Sequence, residues 1–124
     1  MYLWAIGTSL AEDVSRWTRE FRKGSTRLAI LQLLSERERY GYEIIETIGQ
    51  RTKGVLELAE GNVYPALHAL EAEGHIKSVW REVEPGVPPR KYYRLTAAGK
   101  AHWAQLSAEW KEHVGAMQRL MEGE

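Results

Sequence analysis

The sequence predicts a mainly helical fold with one small antiparallel hairpin and a long terminal helix. Three observations predict it. Apolar residues recur at helical spacing over most of the 124-residue chain. A single stretch, 76–96, instead alternates around a Pro- and Gly-rich centre. After it, one apolar stripe continues at spacings of three and four almost to the end.

The elements follow in order. Ser9-Leu10-Ala11-Glu12 has the form of a capping box. Leu10, Val14, Trp17 and Phe21 then mark one face of a helix over 9–23, with Arg16, Arg19, Arg22 and Lys23 on the rest and Gly24 as its stop. Ser25 or Thr26 is expected to cap a second helix, central because Leu28, Ile30, Leu31 and Leu34 make it broadly apolar. Glu36-Arg37-Glu38-Arg39 reads as a polar connector. A helix over about 41–52 is expected to turn Tyr42, Ile45 and Ile48 inward and to break at Gly54, and Leu56 with Leu58 permits a very short strand.

The helix over 61–74 presents Val63, Ala66, Leu67 and Leu70 on one face and stops at Gly74. In the hairpin, Ile76, Ser78 and Trp80 share one side, and Tyr93 and Leu95 share a face of the return strand at 90–96. Pro85-Gly86 favours a type II turn at the tip. Arg81 and Arg94 are expected to pair across the strands with Glu82 or Glu84, and Trp80 and Tyr93 to serve packing. Thr96 can cap the last helix, which runs to about Met121 with Trp103, Leu106, Trp110, His113, Met117 and Leu120 in one stripe.

Composition bounds the function. The chain has no cysteine, which excludes disulfides, thiolate metal sites and thiol nucleophiles. No run reaches the roughly 18–20 apolar residues of a membrane span, and no signal peptide is recognisable, so the expected location is cytoplasmic with no membrane partner. Seventeen cations balance seventeen anions, but unevenly. Residues 75–96 hold five cations against two anions, and residues 25–74 hold five against eight. Global charge argues weakly against nucleic acid, whereas the hairpin's charge favours it. The four histidines share no spacing, Glu109 and His113 are only two potential ligands, and no catalytic triad, phosphate loop or HExxH motif is present. The chain is therefore read as a non-enzyme without cofactor or metal.

The segment 61–74 carries the functional reading. Asn62 offers an amide that both donates and accepts, as adenine requires; Tyr64 offers a hydroxyl to a phosphate; Pro65 sits in the first turn. An ordinary capped helix packed by Val63 and Leu67 accounts for the same residues. The last helix is too apolar to face water on a lone subunit, which favours a homodimer through Trp103, Leu106, Trp110, Met117 and Leu120, joined by Leu10, Val14, Trp17 and Phe21.

Three separated motifs sharpen this. Tyr40-Gly41-Tyr42-Glu43-Ile44, then Asn62-Val63-Tyr64-Pro65-Ala66-Leu67 with Leu70-Glu71 and Gly74-His75-Ile76, then Pro89-Arg90-Lys91-Tyr92-Tyr93-Arg94-Leu95-Thr96 and Gly99, resemble the PadR family of transcriptional regulators over about residues 25–120. The resemblance implies a winged helix-turn-helix at 25–96, a dimerisation helix at 97–124 and an accessory helix at 1–24. It implies sequence-specific binding of double-stranded DNA by a homodimer, at a pseudo-palindromic operator, with repression released by a small effector. It places Asn62, Tyr64, Pro65 and His68 on the recognition helix and Arg90 and Lys91 on the wing. His68 stands where relatives often carry Lys or Arg, so fewer phosphate contacts or some pH dependence are expected. Trp110 matches a tryptophan that stacks planar ligands between subunits in drug-sensing relatives, with simple interface packing as the alternative. The rival function is a winged helix used for protein–protein contact without DNA, motivated by Glu57, Glu60 and the zero net charge.

Overall fold

The computed structural model describes residues 9–57 and 60–123. Its order is α1 (Leu10–Glu36), β1 (Arg39–Tyr40), α2 (Gly41–Arg51), α3 (Glu60–Ala72), β2 (Ile76–Arg81), β3 (Arg90–Leu95) and α4 (Ala97–Glu122). The strands form one antiparallel sheet in the order β1-β3-β2, with Ile76 opposite Leu95 and Arg39 opposite Tyr93. This is the winged helix expected, with a long C-terminal helix.

Where the expected helix stop and second cap lie, the structure has one unbroken helix. Ser9 caps α1 as foreseen, accepting from the Glu12 amide at 3.1 Å. Gly24 does not end it. Ser25 and Thr26 do not start a new helix either: their hydroxyls donate back to the carbonyls of Phe21 and Arg22 at 3.2 and 3.3 Å. A hydroxyl satisfied by the preceding turn has no free amide to cap. Continuing the ladder outweighs the roughly 1 kcal/mol that a helical glycine costs. The boundary at 24 therefore falls inside α1.

Two local expectations also change. On α2 the inward residues are Gly41, Ile44 and Ile48, while Tyr42 is exposed and Ile45 is partly buried. The helix is phased by Ile44, which reaches the core from the side where Tyr42 cannot. Arg39, assigned to a polar connector, lies in β1 and is buried; it donates to the Leu33 carbonyl and to Glu36. Leu56 packs on the core from a bend, its amide donating to the Thr52 hydroxyl, and is not in a strand. Leu58 lies outside the described residues.

The core is built by Ile30, Leu31, Leu33 and Leu34 of α1, Ile44 and Ile48 of α2, Val63, Leu67 and Leu70 of α3, and Ile76, Tyr93 and Leu95 of the sheet. The α3 face is the one read from the sequence. Gly74, at φ +80°, ends that helix, and the His75 amide donates to the Leu70 carbonyl. At the hairpin tip Gly86 has φ +83° and the Val87 amide donates to Glu84, as a type II turn requires.

Two glycines permit close approach. A Cβ on Gly41 would stand 2.6 Å from the Tyr64 ring, so α3 can seat that ring on α2 only with glycine there. A Cβ on Gly99 would fall on the His75 carbonyl, where α4 crosses the α3–β2 turn. Thr96 ties the same corner. Its hydroxyl accepts from the Gly99 amide at 3.0 Å and donates to the Gly74 carbonyl at 2.6 Å.

Candidate nucleic-acid interface

Packing of α3 by Val63, Leu67 and Leu70 turns Asn62, Pro65 and His68 outward, and all three are exposed. Tyr64 is different. Its ring is half-buried against Gly41, and burial, together with Glu60 and Tyr93, raises its hydroxyl above the ordinary tyrosine range. The hydroxyl is thus a neutral donor at any ordinary pH.

Tyr64 opens onto a cleft of about 210 Å³ that Arg90, Lys91, Tyr40 and Tyr93 also line. The sheet brings them together. Strand β3 pairs with β1 on one side, setting Arg90 over the Tyr40 ring at 4.7 Å. Lys91 lies 5.4 Å from the Tyr93 ring and 3.9 Å from Glu71 of α3. Tyr64 of α3 and the adjacent Arg90 and Lys91 of β3, from two distant parts of the sequence, thus share one concave, aromatic-walled, cationic site. Asn62 is not in it; it lines a separate polar cleft against α1.

Several expected partners differ. Arg81 pairs with Glu38, in two 2.8 Å hydrogen bonds, and not with Glu82 or Glu84. That pair joins residues 43 apart in sequence, beyond any local rule. Arg94 is exposed. Trp80, expected to pack, stands 65% exposed on β2, whereas Tyr93 is buried as expected. Tyr40 was missed as a site residue; its place as the first residue of the Tyr40–Ile44 motif was the available signal.

The residues expected at a dimer seam divide into two groups. Leu10, Val14, Trp17, Phe21, Trp110, Met117 and Leu120 are exposed. Trp17 and Phe21 stack at 5.2 Å. Trp103 and Leu106, however, pack against this chain's own core, and the Trp103 indole donates to Gln32 at 2.8 Å. The head holds them because the carboxyl-terminal part of α1, with Gln32, lies against α4. Trp110 lines a mostly apolar cleft of about 420 Å³ between α1 and α4, with Phe21, Leu28 and Leu56. Among the described residues no helix is long and apolar enough to cross a membrane, and no three His, Asp or Glu side chains cluster as metal ligands would.

Known proteins share this fold. Residues 30–105 match the model of the transcriptional regulator PadR-like family. The chain is 38% identical over 94 residues to an uncharacterized protein of Lysinibacillus sphaericus, covering 76% of this chain and 85% of that one. It is 35% identical over 99 residues to the transcriptional regulator YqjI of Escherichia coli, covering 80% of this chain but 45% of that protein. A PadR family transcriptional regulator of Eggerthella lenta superposes with a TM-score of 0.76 at 27% identity, over 92% of this chain and 96% of its own. The motifs that build the Tyr64–Arg90–Lys91 cleft all lie inside or across the matched segment, and the chain belongs to the PadR-like family of transcriptional regulators.

Proposed function

We propose that the chain binds double-stranded DNA sequence-specifically as a homodimer and acts as a transcriptional repressor released by a small aromatic effector. The observation that carries this reading is the cleft in which Tyr64, Arg90 and Lys91 converge beside the outward face of α3. A cation pair and a neutral hydroxyl suit a backbone phosphate, and they would fix the register in which Asn62 reads a base edge. In this reading residues 25–96 form the DNA-binding head, 97–124 the dimerisation helix and 1–24 an accessory arm.

Dimerisation is supported by the apolar residues that α1 and α4 leave exposed. Two heads related by a two-fold axis would present two α3 tips about one helical turn of DNA apart, matching a pseudo-palindromic operator. The effector would enter the cleft at Trp110 and change the angle between the heads. It can do so only through different affinities for the two arrangements.

A salt titration on fragments selected from a genomic library tests the reading. DNA binding should weaken linearly in log–log form, with a slope near −0.9 for each phosphate contacted. Salt-insensitive or absent binding would favour the rival, a winged helix devoted to protein contact. Planar aromatics should quench the fluorescence of the wild type more than that of Trp110→Ala and release the DNA. Absence of quenching across a broad panel would leave Trp110 to packing alone.

A further inference from the structure

We infer that the amino-terminal arm of α1 is a second DNA contact, in which Arg19, Arg22 and Lys23 form a phosphate-binding track alongside the tip of α3. The inference rests on the DNA-binding reading above.

It starts from a shortage. Helix α3 contains no Lys or Arg between Glu60 and Ala72. Most arginines of the head are already committed to carboxylates: Arg27 to Glu73 at 2.6 Å, Arg37 to Glu43 at 2.7 Å, Arg39 and Arg51 to Glu36 at 2.9 and 2.7 Å, and Arg81 to Glu38 at 2.8 Å. A guanidinium beside a carboxylate has its charge largely offset, so it attracts a phosphate less strongly than an unpaired cation. The charge available near Asn62 must come from elsewhere.

It comes from α1. Among the described residues Arg19, Arg22 and Lys23 make no ion pair within 4.0 Å. They line a polar cleft of about 310 Å³ whose other wall includes Asn62, the first outward side chain of the recognition helix that offers an amide. Glu20 and Glu57 also line it, leaving the cations in excess by one. Positions 19, 22 and 23 stand at i, i+3 and i+4, on one face of the helix. At about 100° per residue, that face is opposite to the one carrying Leu10, Val14, Trp17 and Phe21. The apolar stripe can therefore meet a partner subunit while the cationic stripe faces DNA. All three cations precede residue 30, where the family match begins. The track lies outside the matched segment and depends on α1 running through Gly24 unbroken.

The test measures binding of the full chain to a mixed-sequence DNA duplex of about 40 base pairs across a potassium chloride series. The triple variant Arg19→Gln/Arg22→Gln/Lys23→Gln should make the log–log slope shallower by about 0.9 for each lost contact, so by up to roughly 2.7 per subunit, and weaken binding at least about 10-fold. Glu20→Gln, in the same cleft, should strengthen binding by about 2-fold or more. A control neutralising Lys100 and Arg119 on α4 should leave the slope unchanged. Triple-variant binding equal to wild type, or an equal loss per charge in the control, overturns the inference and leaves the DNA reading standing. If the wild type itself fails to bind the duplex, both fall. Circular dichroism of the triple variant, matching wild type, keeps a lost helix from passing as a lost contact; a loss of affinity that tracks lost helicity also overturns it.

Discussion

The two halves of α1 are one helix in two environments. From Ile30 to Leu34 the apolar side chains are 0–4% exposed, inside a core shared with α2, α3 and the sheet. From Leu10 to Phe21 the same periodicity leaves side chains 54–79% exposed. The backbone ladder is continuous, but 28–34 is apolar nearly all round whereas 10–23 carries one apolar stripe among charges. That difference alone does not account for stripe residues as large as Trp17 and Phe21 staying exposed. What separates them is the presence of other elements to pack against. The head closes on itself; the arm has large apolar groups, including the stacked Trp17 and Phe21, that stay more than half exposed among the described residues. Periodicity in a sequence says that a face will be buried, and leaves open what will bury it.

Substitutions sharpen the contrast. The largest effect is expected in the head. Leu31→Ala should lower the unfolding free energy by about 3 kcal/mol through lost burial and a cavity, measured by denaturant titration. Val14→Ala in the arm should change it by less than about 0.5 kcal/mol in dilute protein. Equal losses would mean that the arm packs on the head in solution.

Second is the ion pair that fastens the carboxyl end of α1. Glu36 holds the buried Arg39 and the exposed Arg51, and the Arg51 and Arg39 hydrogen bonds and charges bring its carboxyl down to about 2, against burial. Glu36→Gln should cost about 2 kcal/mol, since Arg39 would remain buried with a weakened partner, less than for a fully buried pair because Glu36 is partly solvated. The sign with pH follows. The folded value lies below the unfolded one, so this stability is complete above pH 4.5 and is lost as pH falls toward 2. The variant should lose that acid limb.

Third, Phe21→Ala should weaken self-association roughly 10-fold, read by sedimentation equilibrium, while leaving the head's stability in dilute solution nearly unchanged. The smallest effect concerns His102, whose ring stacks on His75 at 4.1 Å. Burial, then His75 and Arg27, lower its affinity for a proton, with Glu73 opposing. The neutral form is favoured on folding. Stability should be complete above pH 6.5 and decline as pH falls below it, and His102→Gln should flatten that decline.

Much of the head was legible because its rules are local. The α3 face, the type II turn at Pro85-Gly86, and the caps at Ser9 and Thr96 depend on neighbours within four residues. Failures came where a distant residue decided. Strand β1 is two residues long and exists only because β3 pairs with it. Arg81 reaches Glu38 and Trp103 reaches Gln32, across 43 and 71 positions. Gly24 and the hydroxyls after it carried the signals of a boundary, yet the helix runs through. Within the candidate site, the resemblance put Tyr64 on the recognition helix and Arg90 and Lys91 on the wing; that the three line one cleft shows only in the folded chain. The company that Asn62 keeps with α1 was invisible until that helix was seen whole.

An unbroken α1 has a mechanical consequence. Its 27 residues make a strut about 40 Å long, with one end sunk in the hydrophobic centre and the other projecting. No joint lies between them. A tilt of about 10° imposed where the projecting end is gripped would carry the sunken end through about 7 Å, a displacement comparable with the width of a DNA groove. Inserting a flexible glycine-rich break at Gly24 would uncouple the ends without touching either.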